Sequence, residues 1–328
     1  MKAGKLDNDL LKKIIFNNIK FQRDEVLVRP GIGEDCAVID FGDNVCVMST
    51  DPITGAVNEV GRLAVHISCN DIASSGIEPL GLMLTIMVPV GTTESQIEEI
   101  MIQASEEAQK LKVEIIGGHT EVTHAVSKPV VVSTAIGMSP KEEFMQKDSM
   151  QAGDTVIITK YAGLEGTAII ASDFEEKLKA YMTPEEIYNA KQLLNRLSVV
   201  EEGIIAGRIG VSAMHDVTEG GVLGAVWEIC ESADKGVEIY YDKIPVLPET
   251  HTICKIFDID CLRLISSGCM LITVAENKKD TLLKALNDAG ITAAEIGVIH
   301  EEGRYLFIEE NKIEILPPES DELYKLYK

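Results

Sequence analysis

The chain has 328 residues, of which 45% are hydrophobic and 25% are charged, and this length and composition are typical of a globular protein with two domains. Its net charge of −23 argues against a nucleic-acid or anionic-membrane partner, because a phosphate backbone would be repelled. No segment approaches the roughly 18 uninterrupted apolar residues of a membrane span, and the N-terminal segment lacks the apolar core of a signal peptide.

The seven cysteines form no CxxC pair and lie mostly within apolar runs. They are therefore predicted to be buried, reduced thiols, which favours a cytoplasmic location and argues against a zinc site. Cys69 lies beside an asparagine, and a catalytic nucleophile is one interpretation of it. We expect instead that this residue packs among small residues.

In the first half, residues 6–20 are predicted to form an amphipathic helix, followed by short strands at "VLV", "CAVIDF" and "VCVMST". A helix is predicted over residues 60–75, ended by Gly76. The stretch "LGLMLTIMVP" predicts a strand that is buried on both faces or lies in a subunit contact.

Thr93 and Gln96 predict a capping box for a helix that extends to Leu111. After it, "VEIIGGHTEV" predicts a strand that runs into a glycine-rich loop, and "VVVSTAIG" predicts another strand. The pattern then breaks in a polar stretch over residues 139–154, and we place the domain boundary there, giving domains 1–148 and 149–328.

The second half is predicted to contain strands at "DTVIITK", "VSAMHD", "GVEIYYD", "CMLITVA" and "EIGVI". Helices are predicted after Thr183 toward Leu197, after the Gly-Gly pair at 220–221, and over residues 278–289. Because strands and helices mix in both halves, the predicted fold class is α/β or α+β with two domains.

Acidic and amide side chains occur at four places where a binding site is usually built. Asp35 follows a Gly-x-Gly loop, Asp51 lies where Pro52 is expected to end a strand, and Asp216 lies between a strand and a helix start. Asn70 and Asp71 lie in a helix of small residues, where an ionised carboxylate is costly unless it is paired or bound to a metal ion.

This pattern of oxygen ligands fits Mg²⁺ held by one or two carboxylates together with the phosphates of a nucleotide. A bound cation would neutralise the buried acids, and it would allow a strongly acidic protein to hold a triphosphate. Backbone N–H groups of glycine turns and helix starts would add phosphate contacts, and the candidates are Gly33, Gly117, Gly118 and Gly220.

Each motif alone also has an ordinary structural interpretation. The glycine turn before Asp35 can be a simple turn, Asp51 can cap its own loop, and Thr218 can cap a helix. His119 can be an ordinary polar residue. The sequence contains no P-loop, no third glycine of a dinucleotide fingerprint and no HExxH motif.

In combination and order, seven stretches resemble the aminoimidazole ribonucleotide (AIR) synthetase superfamily. They are "GIGEDCAVI", "STDPITG", "GRLAVHISCNDIASSGIEPLG", "GGHTEV", "AGDTVIITKYAGLEGTAIIA", "HDVTEGGVLGAVWEI" and "SSGCMLITV". The superfamily includes that purine enzyme, selenophosphate synthetase, thiamine-monophosphate kinase and the hydrogenase maturation factor HypE. The chain is most similar to HypE, and next to thiamine-monophosphate kinase.

The resemblance implies an AIR synthase-like N-terminal domain whose strands form a β-barrel across a homodimer, an α+β C-terminal domain and an ATP site near the dimer interface. It implies that Asp35, Asp51, Asn70 and Asp71 bind Mg-ATP. It implies further contacts from Thr120, Asp216 and Thr218. The implied chemistry is ATP-dependent activation of an amide or carboxamide oxygen by phosphoryl transfer.

Three positions depart from the superfamily pattern. His119 stands where a metal-binding carboxylate is usual, and Ser267 stands where some members carry an acid. HypE ends in a tail with a terminal cysteine that carries its carbamoyl group, whereas this chain ends "PPESDELYKLYK" and its last cysteine is Cys269. We therefore expect a different small-molecule or peptide acceptor.

The predicted function is thus that of a cytoplasmic, homodimeric, HypE-like enzyme that uses Mg²⁺ and ATP, with Asp71 and Asp51 as the main catalytic residues. Asp35, Asp51, Asp71 and Asp216 are the predicted metal ligands. A small-molecule kinase of the thiamine-monophosphate type is the alternative enzyme. A non-catalytic nucleotide-binding scaffold that serves a maturation partner is the alternative from another class.

Overall fold

A computed structural model describes residues 4–54, 59–144, 150–318 and 320–327. Within these residues each half of the chain builds one β-sheet. The predicted domain boundary, between residues 148 and 149, lies outside the described residues.

The first sheet has six strands in the order β1-β2-β3-β6-β4-β5, and only the β4–β5 pair is parallel. Its strands lie where the sequence predicts them, apart from their ends. They are β1 (Val26–Val28), β2 (Ala37–Asp40), β3 (Asn44–Ile53), β4 (Pro79–Pro89), β5 (Glu114–Thr123) and β6 (Val130–Pro140).

Three helices accompany this sheet, namely α1 (Asn8–Ile14), α2 (Val60–Ser74) and α3 (Glu94–Leu111). Helix α2 packs against β3 and β6 and is flanked by α3. The predicted capping box of α3 is present, since the Thr93 side chain accepts from the backbone N–H of Gln96 and the Gln96 side chain accepts from that of Thr93. Helix α2 ends next to Gly76, which adopts the left-handed conformation expected of a helix stop.

The second sheet has the order β13-β12-β9-β11-β7-β10-β8, and only the β9–β12 pair is parallel. Its strands are β7 (Thr155–Thr159), β8 (Ala213–Asp216), β9 (Gly236–Tyr240), β10 (Met270–Val274), β11 (Ala293–His300), β12 (Arg304–Ile308) and β13 (Asn311–Glu314). The helices of this half are α4 (Leu164–Asp173), α5 (Glu175–Leu178), α6 (Pro184–Lys191), α7 (Val200–Ile209), α8 (Gly221–Ser232), α9 (Pro248–Phe257) and α10 (Glu276–Asp288).

Helices α2 and α7 join the two halves by close backbone contact. A Cβ atom on Gly203 of α7 would lie 2.2 Å from the backbone oxygen of Ala73 in α2, so glycine is required there. One hydrophobic core extends across this contact and includes Ile72 from the first half and Met214 and Ile272 from the second. The small residues of α2 predict that another segment approaches this helix closely, and in the structure that segment is α7.

Several predicted ends and burial patterns are wrong. The helix predicted over residues 6–20 ends at Ile14, is followed by a 3₁₀ turn at Phe16–Asn18, and has no buried residue. The helix predicted toward Leu197 ends at Lys191 and continues as a 3₁₀ segment over Gln192–Arg196.

Strand β3 does not end at Pro52. Its pairing with β6 continues to Ile53, whereas its pairing with β2 stops at Met48. The proline therefore lies where one edge of β3 is open and no partner needs its missing N–H, which is where a sheet tolerates proline.

Strand β4 is not buried on both faces. Leu80 and Met83 are exposed, whereas Leu82, Leu84 and Ile86 are buried against the core. The alternative prediction, a subunit contact on the open face, stays a prediction. No helix in the described part of the chain is long and apolar enough to cross a membrane.

Candidate active site

Four aspartates from distant segments converge on one place. Asp35 lies in the loop before β2, Asp51 in β3, Asp71 in α2 and Asp216 at the end of β8. The Ser49 hydroxyl donates to the carboxylate of Asp71 and lies 3.2 Å from Oδ2 of Asp51, so it links two of these acids. Asp71 and Asp216 are buried, with 5% and 1% of their surface exposed.

The electrostatics show how close these acids are. Burial raises the pKa of Asp71 well above its usual range, and the charges of Asp216, Asp51 and Asp35 raise it further. Burial together with the charge of Asp35 raises the pKa of Asp216 to about 7, although neighbouring His215 opposes the shift. Repulsion of this kind is relieved when a cation binds between the carboxylates.

His215 lies with two of the aspartates in a group that could hold a metal ion. Its Nδ1 lies 3.5 Å from Oδ2 of Asp35 and 4.0 Å from Oδ1 of Asp216. One ligand atom from each of these three residues lies within 4.8 Å of the other two. Both carboxylate oxygens of Asp216 are buried and have no hydrogen-bond partner among the described residues, which fits a carboxylate that binds a cation.

A cavity of about 520 Å³ opens beside this cluster, and Asp35, Asp51 and Asp71 line it. Thr218 also lines it, as expected of a predicted contact, and so does Lys5 from the N-terminal segment. Lys5 is half-exposed, and its Nζ lies 3.8 Å from Oε1 of Glu228. It is the one basic side chain among the residues described as lining the cavity.

Asn70 does not line the cavity, although it precedes Asp71 in α2. Its side-chain Nδ2 donates to the carbonyl of Leu197 at 2.8 Å, and its Oδ1 accepts from the N–H of Val199 at 2.9 Å. The residue is fully buried, so its amide holds the two halves of the chain together instead of facing a ligand.

The predicted glycine-rich loop at residues 117–120 is wrong, because these residues lie inside β5. A Cβ atom on Gly118 would lie 1.9 Å from the backbone oxygen of Leu84, so this glycine permits the close pairing of β5 with β4. Strand β5 is the far edge of the sheet, three strand spacings or roughly 14 Å from β3. Within one chain, Gly117, Gly118 and Thr120 are exposed and are not brought to the aspartates.

Gly33 and Gly220 also have structural reasons for being glycine. Gly33 has φ of 72°, and a Cβ atom there would lie 2.8 Å from the backbone oxygen of Glu228. Gly220 has φ of 86°, and its N–H donates to Oδ2 of Asp321 at 2.7 Å. The N–H of Gly220 is therefore already used by the protein, and the roles of both glycines at a nucleotide stay predictions.

Sequence reasoning missed Lys5, His215 and a buried glutamate, Glu165, that also lines the cavity. His215 belongs to no histidine motif, but it directly precedes Asp216 at the end of a buried strand, and that position is the available signal. Lys5 and Glu165 carry no motif, and only the folding of distant segments brings them to the cavity.

Models of two domains of AIR synthase related proteins match the chain, the N-terminal domain over residues 33–139 and the C-terminal domain over residues 151–308. A hydrogenase expression/formation protein of Methanocaldococcus jannaschii is 31% identical over 322 residues, which cover 94% of this chain and 91% of the relative. The carbamoyl dehydratase HypE of Rhizobium leguminosarum is 29% identical over 282 residues, covering 83% and 79%.

A crystal structure of a HypE–HypF complex matches with a TM-score of 0.78 at 23% identity, covering 94% of this chain and 99% of that one. These similarities confirm the predicted mixed α/β fold of the two-domain AIR synthase type. The predicted barrel across a homodimer stays a prediction.

Proposed function

We propose that this chain, which belongs to the family of AIR synthase related proteins, is an ATP-dependent enzyme that activates an oxygen atom of an acceptor by phosphoryl transfer. The observation that carries the proposal is the convergence of four aspartates: Asp35, Asp51 and Asp71 line one cavity, and buried Asp216 interacts with them. These acids come from separate elements, and folding gathers like charges only at a cost, which a functional site explains.

The donor set fits Mg²⁺, because it consists of carboxylates that include the unpartnered oxygens of Asp216. The four aspartates would hold the ion, with His215 beside them. When bound, Mg²⁺ neutralises charge on the phosphates and orients them for transfer. We propose Asp71 and Asp51 as the residues on which catalysis depends most.

The chain's own groups then position the phosphates. Lys5 offers the cavity its one described cationic side chain, and Thr218 offers a hydroxyl. Phosphoryl transfer depends on positioning and charge neutralisation more than on a protein nucleophile. The aspartates, Lys5 and Thr218 therefore supply the kinds of group that this reaction needs. We propose a homodimer with the site near its interface, in which Gly117, Gly118 and Thr120 of a second copy would make the nucleotide contacts that they cannot make within one chain.

The names of the relatives support a proposal on the kind of reaction and on the partner. HypE is named a carbamoyl dehydratase, and a structure of HypE with HypF exists, so we propose hydrogenase-maturation-like chemistry on an amide or carboxamide oxygen and a maturation partner. The seven cysteines are free, which supports the proposed cytoplasmic location. We propose that the acceptor differs from that of HypE.

The test measures thermal unfolding with ATP, with and without Mg²⁺, and then ADP release with candidate carboxamides. Mg-ATP at about 100 Kd is expected to add roughly 2.7 kcal/mol of stability, and ATP alone much less. No shift with Mg-ATP would contradict the proposal. Stabilisation without ADP release in cell extract would favour the non-catalytic scaffold, and a phosphorylated product that is not dehydrated would favour the kinase.

A further inference from the structure

Lys5 lines the cavity from a segment before α1 that belongs to no helix or strand. Its side chain is half-exposed, and its Nζ lies as far as 3.8 Å from Oε1 of Glu228. Individual contacts must hold such a segment, because no helical turn or neighbouring strand fixes its backbone. The position of the one basic side chain described in the cavity therefore depends on what holds the backbone of Lys5.

The carboxylate of Glu219 holds that backbone. Its Oε2 accepts the N–H of Lys5 at 3.1 Å, and its Oε1 accepts the hydroxyl of Tyr324 at 2.8 Å. All three residues line the cavity. A carboxylate is a stronger acceptor for a backbone N–H than a neutral oxygen is. Glu219 therefore joins two segments that are distant in the chain, and it uses both of its oxygens to do so.

Tyr324 fixes this carboxylate from the other side. It belongs to the 3₁₀ helix Glu322–Tyr327, and its ring lies against Gly4, the residue before Lys5. Gly4 has φ of 105°, and a Cβ atom there would lie 3.1 Å from Cε2 of the ring. Burial and the charge of Glu219 raise the pKa of Tyr324, so its hydroxyl stays protonated and donates.

The turn that carries Glu219 is itself held in place. The N–H of Val217 donates to the carbonyl of Cys269 at 3.0 Å, and the N–H of Gly220 donates to Oδ2 of Asp321 at 2.7 Å. Glu219 thus lies between two backbone positions that other segments fix. A side chain on such an anchor can set the place of a less regular segment.

The two acids of this loop have opposite surroundings. Both oxygens of Asp216 are buried without a hydrogen-bond partner among the described residues, whereas both oxygens of Glu219 are hydrogen-bonded. The group of described residues that could hold a metal ion consists of Asp35, His215 and Asp216, without Glu219. An acid beside bound phosphates repels them. A favourable effect on a neighbouring cation would offset that cost.

The ammonium of Lys5 lies close to the proposed metal ligands. Partial burial lowers the pKa of Lys5, but the charges of Glu228, Asp35, Glu219 and Asp216 together raise it above its usual value. The ammonium is therefore charged, and it lies in the field of two of the proposed metal ligands. The phosphates of a nucleotide bound through a metal ion would lie in the same place.

We propose that Glu219 is a positioning residue, which holds the backbone of Lys5 so that the Lys5 ammonium contacts the phosphates beside the metal ion. This inference rests on the proposed function, because it concerns the nucleotide of that reaction. Glu219 binds neither the phosphates nor the metal ion and acts through Lys5. Tyr324 sets the direction of the Glu219 carboxylate.

The test measures how tightly the full chain binds a non-hydrolysable ATP analogue with Mg²⁺, by isothermal titration calorimetry. Lys5→Met should weaken binding about tenfold, since it removes a charged contact with phosphate, and Glu219→Ala should weaken it about fivefold. The double variant should lose no more than Lys5→Met alone, because Glu219 acts through Lys5. A merely structural effect of Glu219 would instead add to that of Lys5→Met.

Glu219→Gln separates position from charge. Its amide oxygen can still accept the N–H of Lys5, so binding within about twofold of the native value is expected. Tyr324→Phe frees one oxygen of Glu219 and should weaken binding about threefold. It replaces Glu219→Ala in the comparison with Lys5→Met if that variant does not fold. The control is Glu185→Ala, since Glu185 is an exposed glutamate in the first turn of α6, and native binding is expected there.

Additive losses in the double variant, or native binding by Lys5→Met or by Glu219→Ala, would overturn the proposal. A Glu219→Gln variant that binds as weakly as Glu219→Ala would also overturn it, since the charge of Glu219 would then be what matters. A native chain that does not bind the Mg-nucleotide refutes the proposed function. A native chain that binds it with an affinity independent of Glu219 refutes the positioning role alone.

Discussion

Asn70 accepts a hydrogen bond from the backbone N–H of Val199 at 2.9 Å, although 129 positions of the chain separate the two residues. The same side chain donates to the carbonyl of Leu197 at 2.8 Å. One buried amide thus satisfies two main-chain groups of the second half, while the next residue, Asp71, faces the cavity. Adjacent residues in one helix therefore have different tasks.

The first prediction is that Asn70→Leu destabilises the protein by about 2–5 kcal/mol. It leaves the Leu197 carbonyl and the Val199 N–H buried without partners, each at a cost of about 1–3 kcal/mol. Urea unfolding measures the change. The control is Asn195→Leu, because the Asn195 side chain is exposed and bonds to Arg62, and a change below about 1 kcal/mol is expected there. Equal effects at the two positions would contradict a linking role for Asn70.

The second prediction concerns Asp71→Asn, which is expected to fold and to lose Mg-dependent ATP turnover by roughly a hundredfold or more. The folded-state pKa of Asp71 lies above its unfolded value. Its contribution to stability is therefore present at low pH and is lost as the pH rises. Without metal, the variant should consequently be no less stable than the native protein at neutral pH.

Turnover assays and thermal unfolding with and without Mg²⁺ check this second prediction. Asp280→Asn, an exposed change in α10, serves as the control and should behave like the native chain. An Asp71→Asn variant with native turnover would count against the metal site.

The third prediction is a pH dependence of stability that comes from Glu165. Burial raises its pKa to about 7 from 4.5, although an interaction with Ser267 opposes the shift and the charges of Asp321 and Glu219 add to it. Because the folded-state pKa is the higher one, the stabilisation is complete below about pH 4.5 and disappears as the pH rises through 7. A rise of the pKa from 4.5 to about 7 corresponds to ~3 kcal/mol.

Glu165→Gln removes this titration, so its free energy of unfolding should exceed that of the native protein at pH 8 and not at pH 5. Denaturation series at the two values measure the difference. Glu185→Gln should follow the native curve at both. The opposite result would be a native protein that is more stable than Glu165→Gln by an amount that grows with pH. That result would show that Glu165 is charged and paired in the folded state.

Local sequence patterns predicted most elements because the forces that form them are short-range. The capping box of α3, the stop of α2 at Gly76 and the alternating strands of the first sheet all depend on neighbours within a few positions. The errors arise where pairing intervenes. Residues 117–120 contain the glycines of a loop, but the close approach of Leu84 places them in a strand.

The candidate site likewise has residues that the sequence predicts and residues that only the tertiary structure reveals. An aspartate inside a helix of small residues is costly wherever that helix is buried, so the sequence by itself pointed to Asp71 and to the other acids near glycines. The sequence also determined the family, because ordered motifs survive along the chain. Only the tertiary structure decided which polar groups meet: it turned Asn70 toward Val199, brought His215 to Asp35 and enclosed Glu165 beside Ser267. Hydrogen bonds and charge interactions act over a few ångströms of space, and sequence separation does not report that distance.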